Sequence, residues 1–286
     1  MVNYNPKEWF TFIFHIHKAD TFRKLWPLMV SVGIFSGIVA YIELNFLSIS
    51  QHPSVKNIGM MHSLLGFVIS MLLVFRTNTS YDRWWEGRRL LGTLVNVSRN
   101  FAMKIKALSL EADDNAFFAF AIPEYAEVLK DHLREKRIYD KESITIEIKE
   151  GKHIPNQIAG SMISKVYELQ RNGKLSGQEL LILTGDLNQF TDVCGACERI
   201  KNTPIPFSYS AFIKKFVFIY VITLPFGLVF SLGYYTILII PFILYVLASL
   251  ELIAEEIEDP FGLDANDLPV DSICQNIHKH VSEILL

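Results

Sequence analysis

The chain has 286 residues, of which 50% are hydrophobic and 20% are charged, and its formal net charge is −3. This near-neutral balance excludes the strongly basic character typical of a nucleic-acid-binding protein, so no nucleic acid is expected as a partner. High hydrophobicity combined with this share of charge predicts a chain divided between lipid-facing helices and a water-soluble part.

Three uncharged stretches, residues 25–42, 58–75 and 216–250, predict membrane-spanning helices. The first two have the length of one span each, because about 20 helical residues cross the hydrocarbon core of a bilayer. The third is too long for one span and predicts a helical hairpin that turns near Gly233-Tyr234-Tyr235. We therefore predict four transmembrane helices per subunit; for any single stretch the alternative is a helix buried in a soluble core.

Basic residues cluster at the same predicted side of the spans, where membrane proteins face the cytoplasm. Arg23 and Lys24 precede the first span, Arg76 and Arg83 follow the second, and Lys214 precedes the third. This pattern predicts a multi-pass protein of the cell inner (plasma) membrane with both termini in the cytoplasm. The predicted segments are a cytosolic N-terminal segment (1–24), two transmembrane helices (25–75), a cytosolic helical region (76–215), a transmembrane hairpin (216–250) and a cytosolic C-terminal segment (251–286).

The predicted cytosolic region has the pattern of amphipathic helices, with apolar residues spaced three and four apart and Ser176 placed as a helix cap. The fold class predicted from the whole sequence is therefore an all-α membrane protein.

Phe67, Met71 and Phe75 lie four residues apart in the second predicted span and therefore share one stripe of the helix. Lipid contact or helix packing is the simpler interpretation, and composition alone favours it. The other interpretation is that several copies of this helix line a hydrophobic constriction that gates ions by dewetting.

Carboxylates are dense after the fourth predicted span, around Pro260-Phe261-Gly262. Oxygen ligands at this density suit calcium, although the spacing is not that of an EF-hand and a solvated charge cluster is the commoner case. Cys194 and Cys197 form a single CxxC pair in a helical pattern, which favours buried structural cysteines over redox or zinc chemistry. No common enzyme motif occurs, so we predict a protein that is not an enzyme.

Three motifs resemble those of the bestrophins, and most closely those of the bacterial branch. They are VFRTNTSYDRWWEGRRLLG at 74–92, CGACERIKNTPIPFSY at 194–209 and AEEIEDPFG at 254–262. The resemblance covers nearly the whole chain. It implies a homopentamer in the lipid bilayer, with one central pore that passively conducts small inorganic ions. Chloride is the ion implied by the animal members; the alternatives are a bacterial-type channel for monovalent cations such as sodium, and a secondary transporter.

The resemblance also assigns roles to residues. The bestrophin neck consists of three apolar residues, the last of them eight residues before the arginine of Arg-Trp-Trp, which gives Phe67, Met71 and Phe75 here. A second, cytosolic aperture falls at Gln178 when residues are counted back from Cys194. No cofactor is required, and the calcium clasp of animal members corresponds to Glu256, Asp259, Asp264 and Asp267.

Overall fold

The computed structural model describes residues 21–47, 54–135, 148–149 and 151–286, and these residues form helices joined by turns, with no strand among them. Most of the predicted N-terminal segment, residues 1–20, lies outside the described part. The helices are α1 (Thr21–Ile42, followed by a π-helical turn at Glu43–Leu47), α2 (Ser54–Ala107), α3 (Ala112–Leu133), α4 (Ile154–Arg171), α5 (Gly177–Asn202), α6 (Phe207–Leu232), α7 (Thr236–Glu258) and α8 (Val270–Leu285).

The chain divides into two compact units. The first comprises Met1–Arg83, Pro204–Glu258 and Asp264–Asn266, and the second comprises Trp84–Thr203, Asp259–Leu263 and Asp267–Leu286. These boundaries differ by several residues from the predicted membrane boundaries at 75 and 215, which stay a prediction. The second unit also takes in α8, which packs against α3.

The core of the first unit consists of aliphatic side chains from α1, α2, α6 and α7, among them Val32, Ile69, Leu73, Val221, Leu224, Ile240 and Leu244. Glycine brings two of these helices close together. A Cβ at Gly33 of α1 would lie 3.3 Å from the carbonyl oxygen of Ile237 at the start of α7. Small residues permit this kind of close helix approach within membranes.

The third apolar stretch is interrupted where the sequence predicts a turn. Helix α6 ends at Leu232, the residues Gly233–Tyr235 form a 3₁₀ turn, and α7 begins at Thr236. Gly233 has φ of +54°, a conformation that residues with a Cβ rarely adopt. Three helical stretches, Thr21–Phe46, Asn57–Ala107 and Phe207–Glu258, are long and apolar enough to cross a membrane. The count of four spans stays a prediction.

Helix α2 is much longer than the span predicted within it. It has 54 residues and continues through RTNTSYDRWWEGR to Ala107 without a proline. The residues after Phe75 are compatible with a helix, and the uniformly apolar pattern before Phe75 becomes an amphipathic pattern after it. Nothing in the local sequence therefore ends the helix. Leu91, Leu94 and Phe101, on its last third, belong to the core of the second unit.

Aromatic rings form the centre of the second unit. Phe101 of α2 packs edge-to-face against Phe118 and Phe190, and Phe190 packs in the same way against Tyr125, with ring centroids 5.1–6.0 Å apart. The buried Tyr125 hydroxyl donates a hydrogen bond of 2.6 Å to the Phe190 carbonyl oxygen. Ser176 caps α5 as predicted and forms a reciprocal capping box with Glu179.

Candidate functional site

The three predicted neck residues lie on one exposed stripe of α2. Phe67 is 68% exposed, Met71 47% and Phe75 55%. On the opposite face of the same turns, Ile69 and Leu73 are at most 1% exposed and pack into the core of the first unit. The chain therefore buries one side of this helix itself and leaves the large apolar side chains of the other side uncovered.

Uncovered apolar surface is more extensive on α2 than on the other apolar helices. Within the most apolar window of Asn57–Ala107 only 11% of the residues are buried, against 33% for Thr21–Phe46 and for Phe207–Glu258. Large exposed apolar surfaces on a protein are contacted by lipid or by other subunits. The apolar window of α2 therefore leaves the largest share of its residues open to such contacts among the three stretches.

Arg76 follows Phe75 directly but points to the opposite side, and only 1% of it is exposed. Its Nη2 donates to Oε2 of Glu258 at 2.7 Å, and its Nη1 donates to Ser80 Oγ at 3.2 Å. The positive-inside pattern treated Arg76 as a flanking surface charge, whereas the structure buries it. Burial is tolerated because the guanidinium meets carboxylates from α7.

A second carboxylate, that of Glu251, also approaches this guanidinium. Glu251 Oε2 lies 3.5 Å from Arg76 Nε, and the residue is 4% exposed. Neither of its buried oxygens has a hydrogen-bond partner among the described atoms. Glu258 is better satisfied, because its Oε1 accepts the backbone N–H of Ile205 at 2.6 Å and its carbonyl oxygen accepts Arg83 Nε at 3.1 Å.

Glu251 is not among the residues predicted from the sequence, although its spacing from Glu258 is a signal for it. Residues 251 and 258 are seven apart and therefore lie two turns apart on the same face of α7. This face of α7 meets α2 just after Phe75, the last of the three predicted neck residues. The arrangement fixes α2 to α7 at the point where Phe75 is presented.

The Pro-Phe-Gly motif packs against the Arg-Trp-Trp region at Gly87. A Cβ at Gly87 would lie 3.1 Å from the Phe261 ring and 3.2 Å from Pro260 Cγ, and Phe261 is 1% exposed. Two motifs that the resemblance used separately are therefore in contact within the second unit. Glycine at position 87 provides the space for the ring.

Gln178, the predicted aperture residue, is exposed in the first turn of α5, directly after the Ser176 cap. One turn further along, Leu181 is 75% exposed and Ile182 57%. These two side chains break the usual rule that apolar residues on an amphipathic helix face its core. A count back from Cys194 gives Gln178 alone, and Leu181 and Ile182 stand out only on the helical face of α5.

The four predicted calcium ligands are placed in differing surroundings. Asp259 Oδ2 forms an ion pair of 2.6 Å with Lys201, and Glu256 Oε1 accepts the backbone N–H of Asn266 at 3.4 Å. Asp264 is exposed and Asp267 is 2% exposed. In the described part of the chain these acids do not form a group of three ligands within 4.8 Å of one another. Calcium binding through them stays a prediction.

Comparison with known proteins identifies the family. A model of the bacterial and fungal bestrophin proteins matches residues 1–283. A voltage-dependent anion channel-forming protein of Nostoc sp. is 31% identical over 97% of this chain and 92% of its own length. The voltage-dependent anion channel-forming protein YneE of Escherichia coli is 34% identical over 86% of each chain.

The fold agrees with these matches. A crystal structure of a bacterial bestrophin homologue from Klebsiella pneumoniae matches with a TM-score of 0.81 and 28% identity, covering 92% of this chain and 100% of that one. The relatives are channel proteins and not enzymes, in agreement with the sequence analysis. The exposed stripe on α2, the helical fold and the match over almost every residue lead to one assignment: the chain belongs to the bacterial and fungal bestrophin family.

Proposed function

We propose that the chain is one subunit of an anion channel, with chloride as the conducted ion, and that five copies assemble around a central pore in the cell inner membrane. The description of the Nostoc and Escherichia coli relatives as voltage-dependent anion channel-forming proteins supports the choice of anions. The three apolar helical stretches support a membrane location. Both termini and the second unit are assigned to the cytoplasm on the positive-inside pattern.

The observation that carries this proposal is the uncovered stripe of Phe67, Met71 and Phe75 on a helix whose other face is buried. In a ring of subunits, equivalent stripes face one another around the axis and form a hydrophobic neck. Such a constriction conducts when it is wetted and closes when water leaves it. The positive edges of the Phe67 and Phe75 rings can face a passing anion. Gln178 is proposed to line a second, polar aperture.

The ion is tested by reconstituting the purified protein in a planar bilayer under a potassium chloride gradient. We expect a reversal potential close to the chloride equilibrium potential. A reversal potential close to the potassium equilibrium potential would instead indicate a channel for monovalent cations. Saturable, coupled flux would instead indicate a secondary transporter. The same recording with and without calcium tests whether Glu256, Asp259, Asp264 and Asp267 take part in gating.

The neck is tested in the same bilayer. Replacing Phe67, Met71 and Phe75 together by Ala widens and wets the constriction, so single-channel conductance should rise. Ile38→Ala is a matched control, because Ile38 is 54% exposed on α1 and lies outside the stripe. Unchanged conductance in the triple variant, with assembly intact, would contradict the neck assignment. Assembly is checked by native mass spectrometry, where the expected mass is five times the 32.8 kDa of one chain.

A further inference from the structure

Two histidines and one glutamate from three separate segments converge in the second unit. His132 lies near the end of α3, His153 directly precedes α4, and Glu198 lies near the end of α5. The Nε2 atoms of both imidazoles lie 2.6 Å from the same oxygen, Oε1 of Glu198. The two rings are 4.5 Å apart between centroids.

This cluster is accessible from solvent. About 30% of each side chain is exposed: 31% for His132, 30% for His153 and 28% for Glu198. Oε1 of the Glu198 carboxyl group faces both imidazole nitrogens.

We propose that His132, His153 and Glu198 bind one Zn²⁺ ion. Two imidazoles and one carboxylate form a donor set that zinc takes in tetrahedral sites, with water at the fourth position. The set does not suit calcium, which prefers six to eight oxygen ligands. Within the described residues, this is the group whose three ligand atoms all lie within 4.8 Å of one another.

The ion fits after a small side-chain movement. Zinc bonds to nitrogen and oxygen are about 2.0–2.1 Å long, so ligand atoms in a tetrahedral site are about 3.3 Å apart. The two nitrogen-to-oxygen distances must therefore open from 2.6 Å. Rotation of the partly exposed Glu198 side chain is sufficient, because its carboxylate is not enclosed on all sides.

One existing hydrogen bond has to be exchanged. His153 Nδ1 accepts the backbone N–H of Asn156 at 3.2 Å and so caps α4, which places the ring proton on Nε2. When zinc binds Nε2, that proton is lost to solvent and Nδ1 takes one up, so the imidazole stays neutral. The Asn156 N–H then donates to a water molecule instead, because this hydrogen bond is exposed to solvent.

The bound ion would tie the end of α3 and the start of α4 to α5. At this point the segments are already joined by the side-chain hydrogen bonds to Glu198 and by the contact between the two imidazole rings. A ligand that binds the folded state stabilises it in proportion to its occupancy. Zinc should therefore raise the thermal midpoint of the protein, independently of the ion that the channel conducts.

The test uses the full-length protein in detergent, stripped with a chelator and titrated with zinc chloride. We expect one zinc per chain by calorimetry and by elemental analysis, with a raised thermal midpoint. Cobalt chloride should give the intense visible absorption of tetrahedral Co²⁺. Glu198→Gln keeps the size of the side chain but removes the anionic ligand, and it should weaken zinc binding at least about tenfold.

Two controls locate the ion. His278→Ala removes an exposed histidine of α8 and should leave one zinc bound. The double variant His15→Ala/His17→Ala removes a closely spaced histidine pair near the N-terminus and should also leave binding intact. Full zinc binding by Glu198→Gln and by His132→Ala, or loss of zinc only in the His15/His17 variant, would overturn the proposal. If His132→Ala does not fold, anomalous diffraction at the zinc edge on the unaltered protein decides whether the ion lies between these three side chains.

Discussion

Arg76 shows how this chain keeps a full charge away from water. It lies directly after the neck stripe and is 1% exposed, and its guanidinium is held by Glu258 at 2.7 Å and faces Glu251 at 3.5 Å. Removing one partner of such a buried group leaves uncompensated charge, whereas an exposed ion pair can be removed at little cost. The two cases can be compared within the first unit.

We predict that Arg76→Met lowers the free energy of unfolding by roughly 3–5 kcal/mol, because Glu251 would stay buried, and Glu258 mostly buried, without the Arg76 cation. Lys214→Met is the matched control. Lys214 and Glu255 are 2.8 Å apart but about half exposed, so the expected loss is at most about 1 kcal/mol. Denaturant titrations in detergent, followed by far-ultraviolet circular dichroism, measure both variants. Equal losses in the two would contradict the role given to Arg76.

A second charged pair makes a prediction about pH. The two terminal guanidinium nitrogens of Arg134, Nη1 and Nη2, donate to Asp271 at 2.8 Å and hold the pKa of Asp271 at about 2, below the usual 3.8. Because the folded state has the lower pKa, the pair contributes fully above about pH 3.8 and is lost as the pH falls through about 2.

The stability difference between the unaltered protein and Asp271→Asn should therefore be constant near neutral pH and shrink toward pH 2. Its size should stay below about 1 kcal/mol, because the Asp271 side chain is 56% exposed and screened by water. Thermal unfolding across this pH range measures it. Arg134→Met removes the main partner of Asp271 and leaves Lys130 at 3.5 Å, so its effect should shrink in the same direction on acidification. A difference that grows on acidification would contradict the assignment.

At the scale of single helices, α2 has one feature that the sequence predicts and two that it does not. The stripe of Phe67, Met71 and Phe75 is visible from a spacing of four, and the structure leaves all three exposed. The continuation of the helix to Ala107 was not predicted, because a crowded charged segment after an apolar run resembles the end of a span. The burial of Arg76 was not predicted either, since its partners are far away in sequence on α7.

Gly87 of α2 offers a test of packing between motifs. We expect Gly87→Ala to destabilise the protein by about 1–3 kcal/mol, because the new Cβ would press on the buried Phe261 ring at 3.1 Å. Gly160→Ala in α4 is the control. A Cβ there meets nothing within 4 Å, so the higher helix propensity of Ala should give a gain of about 0.5–1 kcal/mol. Thermal midpoints of both variants measure the effects, and a gain at both sites would contradict the contact.

At the scale of the whole molecule, each of the two units has its own hydrophobic core. The first unit leaves apolar side chains uncovered on α2, and the second buries its three cysteines, Cys194, Cys197 and Cys274. Burial raises the pKa of all three thiols to about 12, so the reactive thiolate is scarce at neutral pH. This agrees with structural cysteines and does not favour redox chemistry at the CxxC pair.

These unreactive thiols make a cysteine-accessibility experiment possible in the otherwise unaltered protein. If α2 lines a water-filled pore, Met71→Cys should be modified by a charged, water-soluble thiosulfonate, and the modification should alter the current in a bilayer. Ile38→Cys, at an exposed apolar position of α1, should be unaffected because lipid keeps the reagent away. A change in current after modification of both variants, or of neither, would contradict a pore lined by α2.

Much of the fold could be predicted because its signals are local. The apolar stretches, the Ser176 cap and the break at Gly233 each depend on a few neighbouring residues. The convergence of His132, His153 and Glu198 could not be predicted, because the three residues come from different segments and have no characteristic spacing in the sequence. The same reason applies to Gly87 and Phe261, whose contact joins positions far apart in the sequence.

The turn at Gly233–Tyr235 also has a consequence for how deep the protein lies in the bilayer. Tyr234 and Tyr235 are 50% and 73% exposed, and the Tyr234 hydroxyl accepts a hydrogen bond from Asn45 Nδ2 at 3.2 Å. Tyrosines of this kind prefer the headgroup region, as do the lysines at 214 and 215 near the other end of α6. From Lys215 to Leu232 the helix rises about 26 Å, close to the hydrocarbon thickness of about 30 Å. We therefore predict that the stretch from Lys215 to Leu232 matches lipids of ordinary chain length and that thicker bilayers strain the predicted hairpin.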